Sequence, residues 1–390
     1  MKNLLCITAC FSLLIVIISC NRTREKHIRN NYETDKIVVD INREDKSSFD
    51  DFFEYSHHIV LQTTDNSLIS RIDKMQIRND RLYILDRTGV ILVFDTNGNF
   101  IKRINHKGQS GMEYISAHDF EIDTEDNLYI CDFLGSKILK YDKNDEFITA
   151  IKLPVKSPSF KLMGKDCYAF DLRNGANTSG EKTFFNYLYY KNGYITCKAL
   201  PFNPNLQGHS FSYGYGLSSF YLYNKKTFLT STMNDTVYTI NENGFPIPFA
   251  IYEFGLKKPE LSFSKEEIEQ YLREQQRGNK ISGIYCFYLF NDFLFICFDY
   301  RGQTNYVISK INESPLFIGK FGYDKNGLCI IPIAYLSDFR QPQLATIIDP
   351  DYLSSLLKKR KATDNSDLLL SMQKSVVEED NPILVFYNWK

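Results

Sequence analysis

The sequence predicts an all-β chain: a six-bladed β-propeller of four-stranded blades, closed by its N- and C-terminal strands, with a few short inserted helices. Three observations carry this expectation. The composition favours strands, because 30 Phe and 26 Tyr bring the aromatic share to 15% while Ala, the best helix former, occurs only ten times in 390 residues. A strand-turn-strand unit recurs along the chain at a nearly fixed offset. The last residues read as a strand that the final unit lacks.

Composition also excludes some function classes. Lys+Arg number 46 against 47 Asp+Glu, a net charge of −1. Binding nucleic acid through bulk charge needs a basic excess, so no nucleic-acid partner is expected. The 43% apolar and 24% charged content is that of a globular protein.

The chain opens with Lys2 and an almost wholly apolar run from Leu4 to Ile18. That run is shorter than the roughly 20 residues of a membrane-spanning helix. With a small residue before the break, it reads as a secretory signal peptide over residues 1–19. Ile17-Ile18-Ser19-Cys20 resembles a bacterial lipobox, with Ile17 where Leu is commoner. The resemblance implies cleavage after Ser19 and diacylglycerol on the Cys20 sulfur, so the protein would be anchored to a membrane rather than cross it. Residues 20–36 are polar and suit a flexible tether, leaving 37–390 for the propeller. Asn21 stands where inner-membrane retention uses Asp, which implies the outer membrane. The acidic cluster of a surface-export signal does not follow Cys20, which points to the periplasmic face.

Cys6 and Cys10 leave with the signal, and six cysteines remain beyond Cys20: Cys131, Cys167, Cys197, Cys286, Cys297 and Cys329. None forms a CxxC pair, so zinc or thioredoxin chemistry is not expected. Cys131 and Cys297 lie in apolar strand patterns and read as small buried hydrophobes. An even count in an oxidising compartment allows a disulfide, but spacing does not name the pair.

The repeat fixes the blades. Leu82-Tyr83-Ile84-Leu85-Asp86 returns as Leu128-Tyr129-Ile130-Cys131-Asp132, and Val93–Phe100 returns as Lys140–Phe147. Each unit is a strand ending in Asp, a loop, a strand, a turn of Asn/Gly/Asp type and another strand. Weaker copies follow at Cys167–Asp171, Thr227–Ser231, Phe295–Asp299 and Leu344–Asp349, which makes six units. At about 59 residues per unit against a blade of about 40–50, insertions are needed. Ser264-Lys-Glu-Glu267 is a capping box that opens a helix to about Gln276, and helical patches are expected at 351–361 and 365–374. An orphan strand, Ile59–Gln62, should complete the last blade beside Pro382–Lys390.

The segments Leu61–Ile69, Gly108–Tyr114 with Phe120–Asp123, and Asn381–Tyr387 resemble those of six-bladed, NHL-like β-propeller lipoproteins of Gram-negative bacteria. The loop Ser110-Gly111-Met112-Glu113-Tyr114 departs from that family's Gly-Pro-Gly-Glu-Tyr-like form. The resemblance implies the fold and an envelope address, and no particular activity.

Asp86, Asp132, Asp171, Asp299 and Asp349 each end the second strand of a unit, which puts them on one face near the channel. Recurrence in nearly every unit points to turn capping rather than a calcium-binding ring. Asp95–Asn99 is a hairpin turn and not an EF-hand loop, since its Gly is misplaced. His57 and His58 are neighbours in a strand and point to opposite faces, so no metal site is expected there. The common hydrolase, metalloprotease and nucleotide-binding motifs do not occur. The loop His209–Gly216 holds Tyr213 and Tyr215 between Ser and Gly, an adaptable aromatic platform. We therefore expect a ligand on the Asp-bearing face, contacted by Arg87, Tyr114, Arg173, Tyr213, Tyr215, Tyr300 and Arg301. The expected role is non-catalytic binding or scaffolding for a glycan, a peptide or an envelope protein, with no cofactor. The alternative is a calcium-dependent propeller hydrolase or lactonase.

Overall fold

In a computed structural model the described residues are 34 and 36–390, except 44, 46–47, 176–183, 210–217, 257, 311–312, 314, 321–323, 326–327, 329–331, 337–341 and 360–366. Six antiparallel sheets form the ring, in chain order. Blades 1, 2 and 3 run from Ile72 to Ile104, Ala117 to Lys152 and Ser159 to Pro201. Blades 4 and 5 run from Phe220 to Glu253 and Cys286 to Lys320. Each is a meander whose second strand carries the repeated Tyr/Phe position, joined by the repeated Asp in blades 1, 2, 3 and 5. The strands alternate local hairpins, so little loop entropy opposes their formation.

Blade 6 is built from both ends of the domain. Pro332–Leu336, Gln343–Ile348 and Ile383–Trp389 pair in order, and Phe53–Val60 adds the outermost strand against Ile383–Trp389. The closing strand thus lies a few residues earlier than the expected Ile59–Gln62, because Gln62 instead turns away to bond Gly98. Gly98 has φ +88°, and a Cβ there would fall 2.0 Å from the Val60 carbonyl oxygen, so the blade 1 turn and the closing strand meet only if this residue is glycine. Asn381 locks the joint. Its side-chain amide donates to the carbonyls of Gln62 (3.0 Å) and Ser67 (2.8 Å), and its Oδ1 accepts from the Ile69 N–H (2.8 Å).

A further strand was not anticipated. Lys36–Val38 pairs in parallel with Ile251–Glu253 on the outer edge of blade 4, burying Ile37 and Val39 and placing Lys36 beside Glu253. It covers a sheet edge that would otherwise be open, and it begins one residue before the expected start of the domain. The helix after blade 4 spans Lys265–Gln276 with Ser264 and Glu267 forming the capping box. The two later helices are Pro350–Lys359 and Asp367–Gln373, close to the expected patches. Cys286 and Cys297 are joined as a disulfide across the first two strands of blade 5. Cys131, Cys167 and Cys197 are free, and Cys329 lies outside the described residues.

The core divides into clusters that each join neighbouring blades. The largest apolar cluster joins blades 4, 5 and 6, and its rings meet edge-on or stacked, as between Phe53 and Phe290 (5.2 Å) and between Phe290 and Trp389 (5.1 Å). Ile383, Leu384, Val385, Phe386 and Tyr387 are at most 1% exposed. Burying such side chains contributes about 1.5–3 kcal/mol each, against a domain stability of about 5–15 kcal/mol. Deleting residues 383–390 should therefore abolish cooperative folding. A truncated chain that stays soluble with an unchanged melting curve would refute closure by this strand.

Candidate functional site

The loops that follow each second strand, and those between blades, share one face of the ring. Asp86, Asp132 and Asp171 end the second strands of blades 1, 2 and 3, Asp299 lies one residue before the end of that strand in blade 5, and Asp349 follows it in blade 6. In blade 4 the equivalent strand ends at Leu229 and no Asp follows. The Asp86 carboxylate accepts from the N–H groups of Ser70 (2.7 Å), Arg71 (2.9 Å) and Thr88 (2.9 Å). Asp132 accepts from Ile115 (3.1 Å), Ser116 (3.0 Å) and Gly135 (3.1 Å) in the same pattern. Each such carboxylate ties the loop entering its blade to the turn leaving its own strand. Asp171 differs: burial pushes its pKa up against the pull of Arg173, and its oxygens meet Ser219 of blade 4 and Arg173. Asp299 takes hydroxyl donors from Tyr285 and Thr304. Among the described residues no three His, Cys, Asp or Glu side chains are placed to share a metal ion.

The turns on the opposite face repeat a different device. Asp95, Asp142 and Asn241 each accept two backbone N–H bonds, from residues two and four further on. These are turns held by side chains, as the hairpin reading of Asp95–Asn99 expects.

The residues singled out for binding separate into three groups. Arg87, Arg173, Tyr300 and Arg301 do lie on the Asp-bearing face. Arg87 is exposed beside the loop that Asp86 holds. Arg173, at φ +48°, reaches Ser219 Oγ at 3.3 Å. The Arg301 guanidinium lies 5.0 Å from the Tyr300 ring centre, and the Arg301 backbone N–H donates to the Gly278 carbonyl just past the end of the long helix. Tyr114 is corrected: it is 0% exposed in the core between blades 1 and 2, and its hydroxyl donates to the Gly89 carbonyl at 2.8 Å. The loop from His106 closes on itself through Gly108 N–H to Tyr114 O and Tyr114 N–H to His106 O, which turns the ring inward. Burial raises its hydroxyl pKa to about 12. Tyr213 and Tyr215 lie outside the described residues.

Sequence reasoning missed the polar heart of the channel. Lys74, Asp119 and Lys161 come from the first, innermost strands of blades 1, 2 and 3. Lys74 Nζ donates to Asp119 Oδ1 (2.6 Å), the Phe120 carbonyl (2.8 Å) and Glu121 Oε1 (3.0 Å). Lys161 donates to Glu121 Oε2 (2.6 Å), while Ser159 Oγ and the Phe160 N–H hold Asp119 Oδ2 at 3.0 and 2.8 Å. Lys74, Asp119 and Glu121 are buried. Burial alone would raise the Glu121 pKa, but the Lys161 and Lys74 charges outweigh it and hold the carboxyl below its usual range. Burial would likewise lower the Lys74 pKa, and the Asp119 and Glu121 charges reverse the sign. The signal was present as pairs two apart in strand-initial segments: Lys74 with Gln76, Asp119 with Glu121, Ser159 with Lys161. Spacing of two puts both members on one side of a strand.

Removing one member of a buried, hydrogen-bonded ion pair costs about 3–5 kcal/mol, because the partner charge stays behind. Lys74→Met should lose stability near the lower end, since Lys161 still serves Glu121. The depressed Glu121 pKa contributes stability above the unfolded value of 4.5 that is lost as pH falls through the folded value. The raised Lys74 pKa contributes below 10.5 and is lost as pH rises through its folded value. Urea unfolding across pH should therefore show a shallower acid limb in Lys74→Met than in the parent. A loss under about 1 kcal/mol at neutral pH would show that the network is not holding the three strands.

Comparison with known proteins gives the fold independent support. A candidate exported protein of Bacteroides fragilis, BF0058, superimposes with a TM-score of 0.72 at 19% identity, covering 91% of this chain and 99% of that one. A member of the DUF4221 family from Bacteroides vulgatus gives 0.51 at 12% identity, covering 87% and 97%. At such identities the likeness is one of fold. No curated protein matches the sequence. The model of the family described as domain of unknown function DUF4934 matches residues 34–388, the whole propeller from its edge strand to its closing strand, and the chain belongs to that family.

Proposed function

We propose that this chain is a lipid-anchored protein of the cell envelope whose propeller binds a partner without catalysis. Cys20 carries the anchor, the outer membrane is the address, and the periplasmic face is the side. The ligand is a glycan, a peptide or an envelope protein held on the face that bears the strand-end Asp residues. The observation that carries this reading is how those carboxylates are used. Asp86 and Asp132 spend their oxygens on loop N–H groups, so the loops are held in fixed positions. Exposed Arg87 then projects from a preset loop, and a preset loop loses less entropy on binding. No nucleic acid and no cofactor enter this reading.

Three experiments test it. Cys20→Ala should yield protein that no longer partitions into detergent or membrane, and a variant that still sediments with membranes would place the anchor elsewhere. A glycan and peptide array on the full chain, repeated with Arg87→Ala, Arg301→Ala and the pair Tyr213→Ala/Tyr215→Ala, should show a loss of about 1 kcal/mol or more per anchor. Binding that survives all of these refutes the Asp-bearing face. A stoichiometric rise in melting temperature on adding calcium would favour the calcium-dependent hydrolase or lactonase instead.

A further inference from the structure

We propose that a cleft at the seam of blades 4 and 5, on the face opposite the strand-end Asp residues, binds a short neutral saccharide. The cleft encloses about 510 Å³, within the roughly 300–1,000 Å³ of small-molecule sites. Two hairpins frame it. The turn between Phe220–Tyr223 and Lys226–Leu229 forms one wall, and the turn between Cys286–Phe290 and Phe293–Tyr300 forms the other. The Cys286–Cys297 disulfide, with Cα atoms 5.1 Å apart, ties the second hairpin together behind its turn. This site is independent of the ligand face proposed above.

The lining selects the chemistry. Tyr223 and Phe249 are half-buried aromatics, and Phe249 is braced by Phe228 at 5.0 Å. Flat aromatic surface matches the C–H face of a pyranose ring. Asn224 and Asn291 stand exposed at the two turns with φ +48° and +53°. Neither side-chain amide is hydrogen-bonded among the described residues, so each offers both a donor and an acceptor, the pairing that sugar hydroxyls need.

Charge argues for a neutral ligand. Lys310 is committed within the wall, 4.0 Å from Glu313 and 5.0 Å from the Phe293 ring centre. That leaves Lys226 on one turn and Asp292 on the other, one charge of each sign. A phosphate or polyanion would meet Asp292 without a surplus of cations, and a polycation would meet Lys226. Hydroxyls, which donate to Asp292 and accept from Lys226, satisfy both.

The test is saturation-transfer NMR on the full chain with methyl hexosides, N-acetylhexosamine disaccharides, uronic acids, amino sugars and short peptides. Neutral saccharides should bind, and the charged sugars more weakly. Asn224→Gly/Asn291→Gly keeps both positive φ angles and removes both amides, so folding should persist while affinity falls about tenfold or more. Tyr223→Ala should do the same, and Lys143→Ala, at the exposed turn of blade 2, should leave saccharide binding unchanged. The proposal is overturned if no neutral saccharide binds, if binding survives both cleft variants, if peptides or charged sugars bind better, or if Lys143→Ala removes saccharide binding.

Discussion

The pairing of Phe53–Val60 with Ile383–Trp389 is the contact on which the ring depends, because it joins residues more than 320 positions apart. The other blades are local meanders that form from near neighbours, whereas this one must wait for both ends. Its surroundings reflect that burden. Asn381 spends its side-chain amide and its Oδ1 on the loop from Gln62 to Ile69, and Trp389 is packed by Phe53, Phe290 and Phe293. The backbone pairing alone leaves the sheet free to slip, and the Asn381 bonds specify one register. The aromatic packing supplies area, so direction and driving force come from different residues.

Around the rest of the ring apolar clusters fill the seams, and the two halves differ in what is added to them. Blades 1, 2 and 3 meet at the axis through Lys74, Asp119, Glu121 and Lys161, each oxygen and ammonium matched. Blades 4, 5 and 6 meet through aromatic side chains. The two solutions have different tolerances. A polar network fixes positions and penalises any missing partner, whereas rings can tilt and still keep most of their contact area. Blades 4, 5 and 6, which share the largest cluster, are also where the long helix, the disulfide and the blade 4–5 cleft occur.

How much of this was legible in the sequence depended on range. The repeat at Leu82–Asp86 and Leu128–Asp132 exposed the blades because each copy is local, and the Asp residues were readable as caps because their partners lie in the adjoining loops. Closure was legible as an unpaired strand at each end, though its first strand was placed too late. The edge strand Lys36–Val38 was invisible, since three residues carry almost no pattern and their partner is 215 positions away. Tyr114 misled because an aromatic in a Gly-containing loop reads as exposed, whereas the backbone bonds at His106 and Gly108 fold it inward. The channel network was readable only as three same-side pairs, each unremarkable alone, which acquire meaning when the blades bring them together.

The same reasoning explains why the cleft between blades 4 and 5 escaped notice. Its Asn residues look like the turn formers at Asp95, Asp142 and Asn241, and turn chemistry accounts for their backbone. The difference lies in the side chain. Asp95, Asp142 and Asn241 spend their side-chain oxygens on their own turns, whereas Asn224 and Asn291 take the positive φ themselves and leave their amides unspent. At these two turns the residue that takes the positive φ does not use its side-chain amide to hold the turn. On this propeller that distinction separates the Asp95-type turns, which serve the fold alone, from the two at the cleft, whose unspent amides stand beside half-buried aromatic rings.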